Sequence, residues 1–398
     1  MSNSFSDNKY TSILHKYPYQ ICTNCVMDTT DPLITFDERG VCNHCNEYKE
    51  YEKTSKLFGE EAKAELQKMV NLLKKSGKGK EYDCIMGLSG GVDSSYLAYF
   101  ATKELGLRPL VVHVDAGWNS ELAVNNIQSI VQKLNLDLHT LVIDWEEIKD
   151  LQLAFLKSGI ANLDVPQDHA FIASLYQEAK KYKIKYILNG GNMATESILP
   201  KAWGYDASDS VHLKAIHNKF GTIKLKSYPI FTTFKKLIYY PFIAKMKVLR
   251  PLELIPYSKS SAKKVLIEEL GWRDYGGKHY ESTYTKFFQA HYLPTKFGYD
   301  KRKAHLSSLI VSGQMTREAS LAELEHPLYD SKELVEDTIF FSKKLGITVQ
   351  EFTNIMNQEP TTYKNFANNE SFYKIIRKLL SKASSLKKKL VKLNFIIC

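Results

Sequence analysis

The chain has 398 residues, of which 44% are hydrophobic and 25% are charged, and its formal net charge is +10. This length exceeds that of one typical domain, so two or three folded units are expected. No stretch approaches the roughly 18 uninterrupted apolar residues of a membrane-spanning helix, and the polar start lacks the apolar core of a signal peptide. The composition therefore argues against a membrane-spanning protein, and we expect a cytoplasmic location.

The positive charge is concentrated at the carboxyl end of the chain. From residue 372 onward eight residues are basic and none is acidic, so only +2 of the +10 belongs to the rest. A nearly neutral body gives little support for nucleic-acid binding. The tail mixes basic and apolar residues at helical spacing, which is typical of a helix at an anionic membrane surface or a partner, or of a solvated terminal helix.

Four of the six cysteines form two closely spaced pairs near the amino end. The pairs Cys22/Cys25 and Cys42/Cys45 are each C-x-x-C, and 16 residues separate them. This spacing is typical of structural zinc sites, in which four thiolates complete a tetrahedron. An iron–sulfur cluster on the same thiolates is the alternative. We predict a zinc-binding segment with four cysteine ligands over residues 1–50, called the four-cysteine segment below, with His44 near the metal rather than bound to it.

A polar stretch with apolar residues at helical spacing follows, and it predicts a helical linker over 51–80. The pattern strand, glycine turn, helix then repeats several times, which is typical of a parallel α/β sheet. This α/β domain is expected over 81–255, and a mostly helical region for substrate or partner binding over 256–398. The predicted strands cover 82–88, 109–115, 138–143 and 184–188, and the predicted helices include 94–105 and 168–181.

The most informative segment joins the first predicted strand to the helix that follows it. Its glycines let the backbone approach a phosphate, and the start of the helix offers free N–H groups and a positive dipole end. Serine hydroxyls add further donors. The alternative is that this turn serves only tight packing and binds no phosphate. We predict a phosphate-binding loop that consists of Ser89, Gly90, Gly91, Val92, Asp93, Ser94 and Ser95.

This loop resembles the SGGxDS fingerprint of the PP-loop ATP pyrophosphatases. The resemblance implies a parallel-sheet α/β domain of the adenine nucleotide alpha hydrolase-like (HUP) type. It also implies that ATP is cleaved between its α- and β-phosphates, so that a substrate oxygen is adenylated and pyrophosphate leaves. The GxxxxGK[ST] motif of Walker-type enzymes is absent from the sequence.

Two further strand ends are expected beside this loop, because ligands collect at the carboxyl edge of a parallel sheet. Helix capping is the alternative role for Asp115, and loop bracing is the alternative for Asn192 and Glu196. Acidic groups near a triphosphate commonly hold Mg²⁺, and Asp93 is the first candidate. The strand-end residues predicted to contact ATP are Asp115, Gly190, Gly191, Asn192 and Glu196.

Five segments along the chain carry a longer resemblance. They are CTNCVMDTTDPLITFDERGVCNHC, IMGLSGGVDSSYLA, ILNGGNMATES, RPLELIPYSK and GGKHYESTYTKFFQAHYLPTKFGYDKRKAHLSSLIVSGQMTREASLAEL. Together they resemble the N-acetyl sugar amidotransferases of O-antigen, capsule and flagellin-glycan biosynthesis. This resemblance implies that ATP activates the acetamido oxygen of a nucleotide-linked sugar and that ammonia displaces it, giving an acetamidino group.

Such a reaction depends on positioning the reactants and on stabilising phosphoryl charge. Lys303 is a further candidate for phosphate contact, and His279 and Tyr280 are candidates for contact with the sugar. For any single lysine the alternative is a solvated surface. We predict a catalytic set that consists of Asp93, Ser94, Lys278, Glu281, Lys301 and Arg302, with ATP, Mg²⁺ and structural Zn²⁺ as cofactors.

The sequence contains no recognisable glutaminase nucleophile. The resemblance implies a separate glutaminase and a cyclase-like barrel subunit that supply ammonia, and no nucleic-acid partner. Two other classes stay open: a tRNA-modifying PP-loop enzyme of the thiolase type, and a non-enzymatic zinc-ribbon module. The spare cysteines, Cys84 in an apolar strand and Cys398 at the end, give the thiolase class little support.

Overall fold

The computed structural model describes residues 18–277 and 280–385. Within these ranges five parallel strands form a sheet with the order β3-β2-β1-β4-β5. The strands are β1 (Cys84–Gly87), β2 (Pro109–Asp115), β3 (Leu138–Val142), β4 (Tyr186–Leu188) and β5 (Lys247–Leu249).

Helices surround this sheet and make up the carboxyl-terminal part. The α-helices are α1 (Asn43–Thr54), α2 (Gly59–Gly77), α3 (Val92–Tyr99), α4 (Glu121–Leu134), α5 (Trp145–Ser158), α6 (Val165–Lys181), α7 (Met193–Glu196), α8 (Ser210–Phe220), α9 (Lys259–Leu270), α10 (Thr283–Phe287), α11 (Leu293–Phe297), α12 (Lys301–Val311), α13 (Arg317–Glu325), α14 (Ser331–Leu345), α15 (Val349–Met356) and α16 (Glu370–Ser385). Shorter segments are π-helical (Phe100–Glu104, Lys235–Ile243, Phe288–Tyr292) or 3-10 helical (Lys201–Trp203, Pro251–Leu254, Tyr363–Asn365).

The sheet is buried on both faces. Successive side chains of a strand point to opposite faces, so Ile85 of β1 packs in one hydrophobic core while Cys84 and Met86 pack in the other. Two covered faces are typical of parallel sheets with crossover helices. The predicted fold class, an α/β parallel-sheet PP-loop domain with a helical carboxyl-terminal region, is confirmed.

The strand order places the phosphate-binding loop at a special position. Strand β1 has β2 on one side and β4 on the other, so the chain winds in opposite directions from β1. A crevice forms at such a switch point, outside the carboxyl ends of the strands. The loop after β1 and the loop after β4 both open into this crevice, which explains why two distant glycine-rich segments meet.

The boundaries of several elements differ from the sequence prediction. Strand β5 was not predicted, because three residues are too few to show a period and they follow an aromatic, basic stretch. The predicted linker helix from residue 51 is in fact two helices. The first of them, α1, begins at Asn43 inside the second cysteine pair, so that pair lies at the start of a helix.

The four-cysteine segment docks on the carboxyl-terminal helices. The guanidinium of Arg317, at the start of α13, donates hydrogen bonds to the carbonyl oxygens of Cys22 and Cys25 at 3.0 Å each. The Ser307 hydroxyl of α12 accepts a hydrogen bond from the amide of Val26 at 3.1 Å. The cysteine pairs therefore pack against helices α12 and α13, although the bonded residues lie 281 to 295 positions apart along the chain.

The division into domains stays a prediction, although packing crosses its boundary at residue 255. Helix α9 lies beyond that boundary, yet its Leu266 and Leu270 join the core that α3 and β1 share. In the described ranges no helix combines the length and apolarity needed to span a bilayer. Helix α16 covers the start of the predicted basic tail, whereas Lys387, Lys388, Lys389 and Cys398 lie outside the described residues.

Candidate active site

The loop after β1 has a backbone shape that requires glycine. Gly90 has a φ of +85°, and a Cβ atom there would lie 2.9 Å from the Tyr275 hydroxyl and 3.1 Å from the carbonyl oxygen of Ala123. The carbonyl of Gly90 accepts hydrogen bonds from the Trp272 indole at 2.8 Å and from Tyr275 at 2.9 Å. The side chains of Trp272 and Tyr275 thus hold the loop in place by hydrogen bonds to its backbone.

The hydroxyls of the loop hold it in register with helix α3. The Ser94 hydroxyl lies 3.1 Å from the Ser89 hydroxyl and donates to the carbonyl of Gly91 at 3.2 Å. The amide of Gly91 donates to the Ser89 hydroxyl at 3.3 Å. Helix α3 begins directly after Gly91, so its free N–H groups face the same space.

This space is a cavity of about 270 Å³, called the loop cavity below. It brings together residues from the loop, from the strand end after β4 and from the carboxyl-terminal part of the chain. The predicted site residues on its wall are Ser89, Gly91, Val92, Asp93, Ser94, Gly190, Gly191, Glu196 and Glu281.

Asp93 is held by two neighbours. The Tyr257 hydroxyl donates to Asp93 Oδ1 at 2.5 Å, and the Asn192 amide donates to the same oxygen at 3.4 Å. Burial and the nearby Asp93 charge raise the pKa of Tyr257 well above its ordinary value, so its hydroxyl keeps its proton. Asn192 also accepts hydrogen bonds from the amide and hydroxyl of Thr195, which braces the loop after β4.

The carboxylates of the loop cavity suit a magnesium ion bound together with phosphates. Asp93, Glu196 and Glu281 line the cavity together with the phosphate-binding loop. Mg²⁺ is usually held by one or two carboxylates plus substrate phosphates and waters. These donors therefore fit an ion that neutralises phosphate charge.

A second cavity of about 470 Å³ adjoins the first and is called the helix cavity, because Gln167, Asp168 and Phe171 of α6 form one wall. It shares Ser89, Ser94 and Glu281 with the loop cavity. Burial and the neighbouring Asp164 raise the pKa of Asp168 to about 8, and the positive charge of Lys301 opposes this shift. The predicted residue Lys301 lines the helix cavity and not the loop cavity.

Four predicted residues have other surroundings. Asp115 ends β2, but its carboxylate accepts hydrogen bonds from the Gly117 amide and the Asn119 side chain, while Ser120 caps the next helix. Arg302 binds Asp300 and the carbonyl of His326, and it lines neither cavity. The Ser95 hydroxyl is buried without a hydrogen-bond partner, and Gly90 faces the aromatic pair.

Four further candidates complete the set. Lys303 forms an ion pair with Asp28 of the four-cysteine segment. Lys278 and His279 lie outside the described residues, so their roles stay predictions. The ring of Tyr280 lies near the Lys286 ammonium, which is 5.6 Å from its centre.

The sequence analysis missed several residues that line the loop cavity or hold the phosphate-binding loop. Lys259 and Lys263 of α9 supply positive charge, and Lys263 pairs with Asp274 at 2.5 Å. Tyr257 and Tyr275 hold the loop from segments some 165 to 185 residues away along the chain. Lys259 belongs to the segment RPLELIPYSK of the longer resemblance, which is the one sequence signal that pointed to it.

The four paired cysteines converge as predicted. Their sulfur atoms are buried and all lie within 4.8 Å of one another, with 3.9 Å between Cys22 and Cys45 and 3.7 Å between Cys25 and Cys42. Zinc–sulfur bonds of about 2.3 Å in a tetrahedron place the sulfurs about 3.8 Å apart. The donor set therefore fits a four-coordinate structural ion.

Neighbouring groups support thiolates at this cluster. The amides of Asn24 and Cys42 donate to the Cys22 sulfur at 3.4 and 3.2 Å, and the Asn24 side chain donates to Cys45. His44 is not in the cluster; its Nε2 lies 2.8 Å from Oδ2 of the buried Asp31. The role of His44 beside the cysteine cluster stays a prediction.

Comparison with known proteins adds two family matches to this geometry. Residues 65–190 match the NAD synthase family, and residues 281–380 match the family described as LPS biosynthesis protein WbpG-like, C-terminal domain. The first match contains the phosphate-binding loop and the strand end after β4. The α/β part of the chain is therefore similar to ATP-dependent synthetases of the PP-loop superfamily. Its carboxyl-terminal part is similar to the C-terminal domain of WbpG-like LPS biosynthesis proteins.

Individual relatives match only part of this PP-loop enzyme. One subunit of a glutamine-hydrolyzing GMP synthase from Methanosarcina barkeri is 32% identical over 114 residues, which is 28% of this chain and 35% of that protein. A glutamine-hydrolyzing GMP synthase from Sulfurimonas denitrificans is 31% identical over 131 residues, which is 31% of this chain and 23% of that protein. The chain thus spans about a third or less of the length of these relatives.

Two solved structures match this chain at lower sequence identity. An NMN synthetase from Francisella tularensis is 22% identical with a TM-score of 0.26, covering 35% of this chain and 57% of that one. An NH3-dependent NAD synthetase from Campylobacter jejuni is 17% identical with a TM-score of 0.28, covering 40% of this chain and 72% of that one.

Proposed function

We propose that this enzyme converts an acetamido group of a nucleotide-linked N-acetyl sugar into an acetamidino group, with ATP as the activating reagent and ammonia as the nucleophile. One observation carries the proposal. Glu281, the first residue of the WbpG-like match, lies so close to the PP-loop that a Cβ atom on Gly91 would be 2.9 Å from its carboxylate. The part of the chain that is similar to LPS biosynthesis proteins therefore borders the loop cavity, and this supports the proposal.

The reaction proceeds in two steps. The acetamido oxygen attacks the α-phosphorus of ATP, the bond to the β-phosphate oxygen breaks, and pyrophosphate leaves. Ammonia then adds to the carbon of the adenylated imidate, the C–O bond breaks, and AMP leaves with both electrons of that bond. The extra proton of the attacking nitrogen passes to a base, and Glu281 is our candidate because it lines both cavities.

The residues of the loop cavity divide these tasks. The amides and hydroxyls from Ser89 to Ser94 bind the departing pyrophosphate, and Lys259 and Lys263 stabilise charge on the α-phosphate. Asp93 and Glu196 would hold Mg²⁺, which neutralises phosphate charge when bound. The adenosine is assigned to the helix cavity, whose wall includes the apolar residues Phe171 and Ile172.

Ammonia is proposed to come from a separate glutaminase with a cyclase-like subunit, and the product to enter O-antigen, capsule or flagellin glycan biosynthesis. The WbpG-like match supports the polysaccharide context. The thiolase alternative gains no support from Cys84, which is fully buried and whose thiol pKa is raised by that burial. A thiolate is the form of cysteine that carries sulfur.

The test supplies the purified chain with MgATP, an ammonium salt and a panel of nucleotide-linked N-acetyl sugars. We expect AMP and a sugar in which NH has replaced the acetamido oxygen, both measured by mass spectrometry. Glu281→Gln should lose most of this activity, whereas Glu268→Gln, an exposed glutamate of α9, should keep it. AMP formation that ignores every sugar and depends instead on tRNA would overturn the proposal.

A further inference from the structure

We propose that a third cavity, between the four-cysteine segment and the strand end after β4, binds the nucleoside-diphosphate half of the acceptor sugar. The four-cysteine segment would then be a wall of the acceptor site and not only a structural module. This inference rests on the proposed function for the identity of the acceptor. The cavity measures about 610 Å³ and is called the cysteine cavity below.

The cysteine cavity is continuous with the loop cavity, because both are lined by Gly191 and Glu196. The reacting acetamido group must reach the α-phosphate of ATP in the loop cavity. A nucleotide-linked sugar is long, so its remote half must leave the loop cavity through an adjoining space. The cysteine cavity has a size typical of sites for such ligands.

Basic residues are distributed unequally between the two adjoining cavities. On the wall of the helix cavity the positive charge of Lys301 is opposed by the Asp164 carboxylate, while Asp168 is largely protonated near neutral pH because its pKa is raised to about 8. The cysteine cavity has two basic residues on its wall, Lys201 and Arg250, beside the acidic residues Asp31, Glu47 and Glu196, and the two cations together can bind a diphosphate. Uncharged adenosine therefore fits the helix cavity, and the acceptor diphosphate fits the cysteine cavity.

The other residues of the cysteine cavity also suit a nucleotide sugar. Leu33 of the four-cysteine segment is 58% exposed and Leu199 is 67% exposed, which offers apolar surface to a base. Glu47 is an acceptor for a hydroxyl group of the ribose or the sugar. Asp31 is already engaged by His44, so the four-cysteine segment presents a fixed surface here.

Two sets of hydrogen bonds hold the walls of the cavity together. Ser307 and Ser308 are neighbours on α12: the first accepts from the Val26 amide of the four-cysteine segment, and the second accepts from the Ile198 amide at 3.0 Å. Glu253 joins the walls as well, accepting from Tyr51 of α1 at 2.9 Å and from the Met193 amide at 2.8 Å. The cavity is therefore built into the fold.

Binding of UDP, dTDP and GDP to the full chain tests this inference by calorimetry. Saturating α,β-methylene-ATP is present, so that the ATP cavities are filled. We expect at least one diphosphate to bind, and Lys201→Ala and Leu33→Trp each to weaken it by about tenfold or more, because one loses a charge and the other fills the space. Lys214→Ala and Val349→Trp, at exposed positions outside the three cavities, should leave its affinity within about twofold.

The outcomes distinguish this inference from the proposed function. A diphosphate that binds equally well to the wild type, Lys201→Ala and Leu33→Trp overturns the cysteine cavity as its site. Failure of all three diphosphates to bind also overturns the inference. The proposed function is judged by sugar-dependent AMP formation instead. With an active sugar, the inference expects Lys201→Ala to raise its KM while the KM for ATP stays unchanged.

Discussion

The hydroxyl of Tyr257 donates to Oδ1 of Asp93 across 2.5 Å, and the two residues are 164 positions apart in the chain. This hydrogen bond joins the segment before α9 to the PP-loop and fixes the carboxylate that is our first candidate for Mg²⁺. Because the raised pKa of Tyr257 keeps its hydroxyl protonated, the donor is present at every working pH. The bond is therefore a positioning device for the ATP site.

Tyr257→Phe removes this donor and keeps the ring. A hydrogen bond to a charged group contributes about 1.5–3 kcal/mol, so kcat/KM for MgATP should fall by about 10- to 100-fold. Steady-state pyrophosphate release measures it. Tyr99→Phe is the matched control, since Tyr99 lies on α3 and lines none of the three cavities. Equal losses in both variants would contradict the role given to Tyr257.

Gly90→Ala should abolish ATP turnover. The new Cβ would lie against the Tyr275 hydroxyl and the Ala123 carbonyl, and the backbone would keep a φ that side chains disfavour. Gly298→Ala is the control, because its φ is +72° but nothing lies within 4 Å of the added Cβ. Gly298→Ala therefore has the same backbone cost of about 1 kcal/mol, but its new Cβ meets no neighbouring atom. ATP turnover that is similar in the two variants would show that loop shape is not critical.

Cys25→Ser should remove the metal and loosen the four-cysteine segment. We expect about one zinc ion per purified wild-type chain by mass spectrometry of the metal and almost none in the variant, because each thiolate is one of four ligands. Cys84→Ala should keep its zinc, since the Cys84 side chain packs in the hydrophobic core on one face of the sheet. Visible absorption from bound iron in the wild type would instead favour the cluster alternative.

Loss of zinc should also destabilise helix α13 in the carboxyl-terminal part of the chain. Arg317 binds the backbone carbonyls of Cys22 and Cys25, so a disordered cysteine pair would leave its guanidinium without these acceptors. Hydrogen exchange of α13 should therefore rise in Cys25→Ser. Unchanged protection of α13 would mean that the four-cysteine segment does not stabilise this helix.

Asp168→Asn should change how stability depends on pH. The pKa of Asp168 is about 8 in the folded protein and about 4 in an unfolded chain, so between these values the folded state holds the extra proton. The carboxyl of Asp168 therefore makes the wild type less stable as pH rises from about 4 to 8. Asparagine does not ionise, so the melting temperature of the variant should exceed that of the wild type by a margin that grows up to pH 8.

Differential scanning fluorimetry from pH 5 to pH 9 measures this margin, which we expect to reach a few degrees. Asp330→Asn, at an exposed helix cap, is a control for loss of an ordinary carboxylate. A margin that shrinks as pH rises would contradict the raised pKa of Asp168. The neighbouring charged groups that affect the pKa of Asp168 are Asp164, which raises it, and Lys301, which lowers it.

Local patterns decided how much of the site could be predicted. The loop from Ser89 to Ser94 and the strand end at Gly190 and Gly191 were found because glycine turns after buried strands are readable in a few residues. Lys259 and Tyr275 were not found. Lys259 lies in the segment RPLELIPYSK of the longer resemblance, but that segment does not indicate which of its residues faces the cavity, and only packing brings Lys259 and Tyr275 there.

Some basic residues that were predicted for the site form ion pairs elsewhere. Arg302 and Lys303 were chosen for their charge, which is visible in the sequence, yet they bind Asp300 and Asp28. A pairing between residues that are 275 positions apart depends on how α12 meets the four-cysteine segment. No property of either residue alone indicates it.

The sequence by itself determined the parallel α/β fold, the PP-loop and the cluster of four cysteines, because each is specified by residues within a short stretch of chain. Only the tertiary structure decided that these parts adjoin. The switch point beside β1 gathers the strand ends, Tyr257 orients Asp93, and α12 joins the four-cysteine segment to the strand end after β4. These relations depend on long-range packing, whose free energy is spread over many contacts and leaves no local pattern in the sequence.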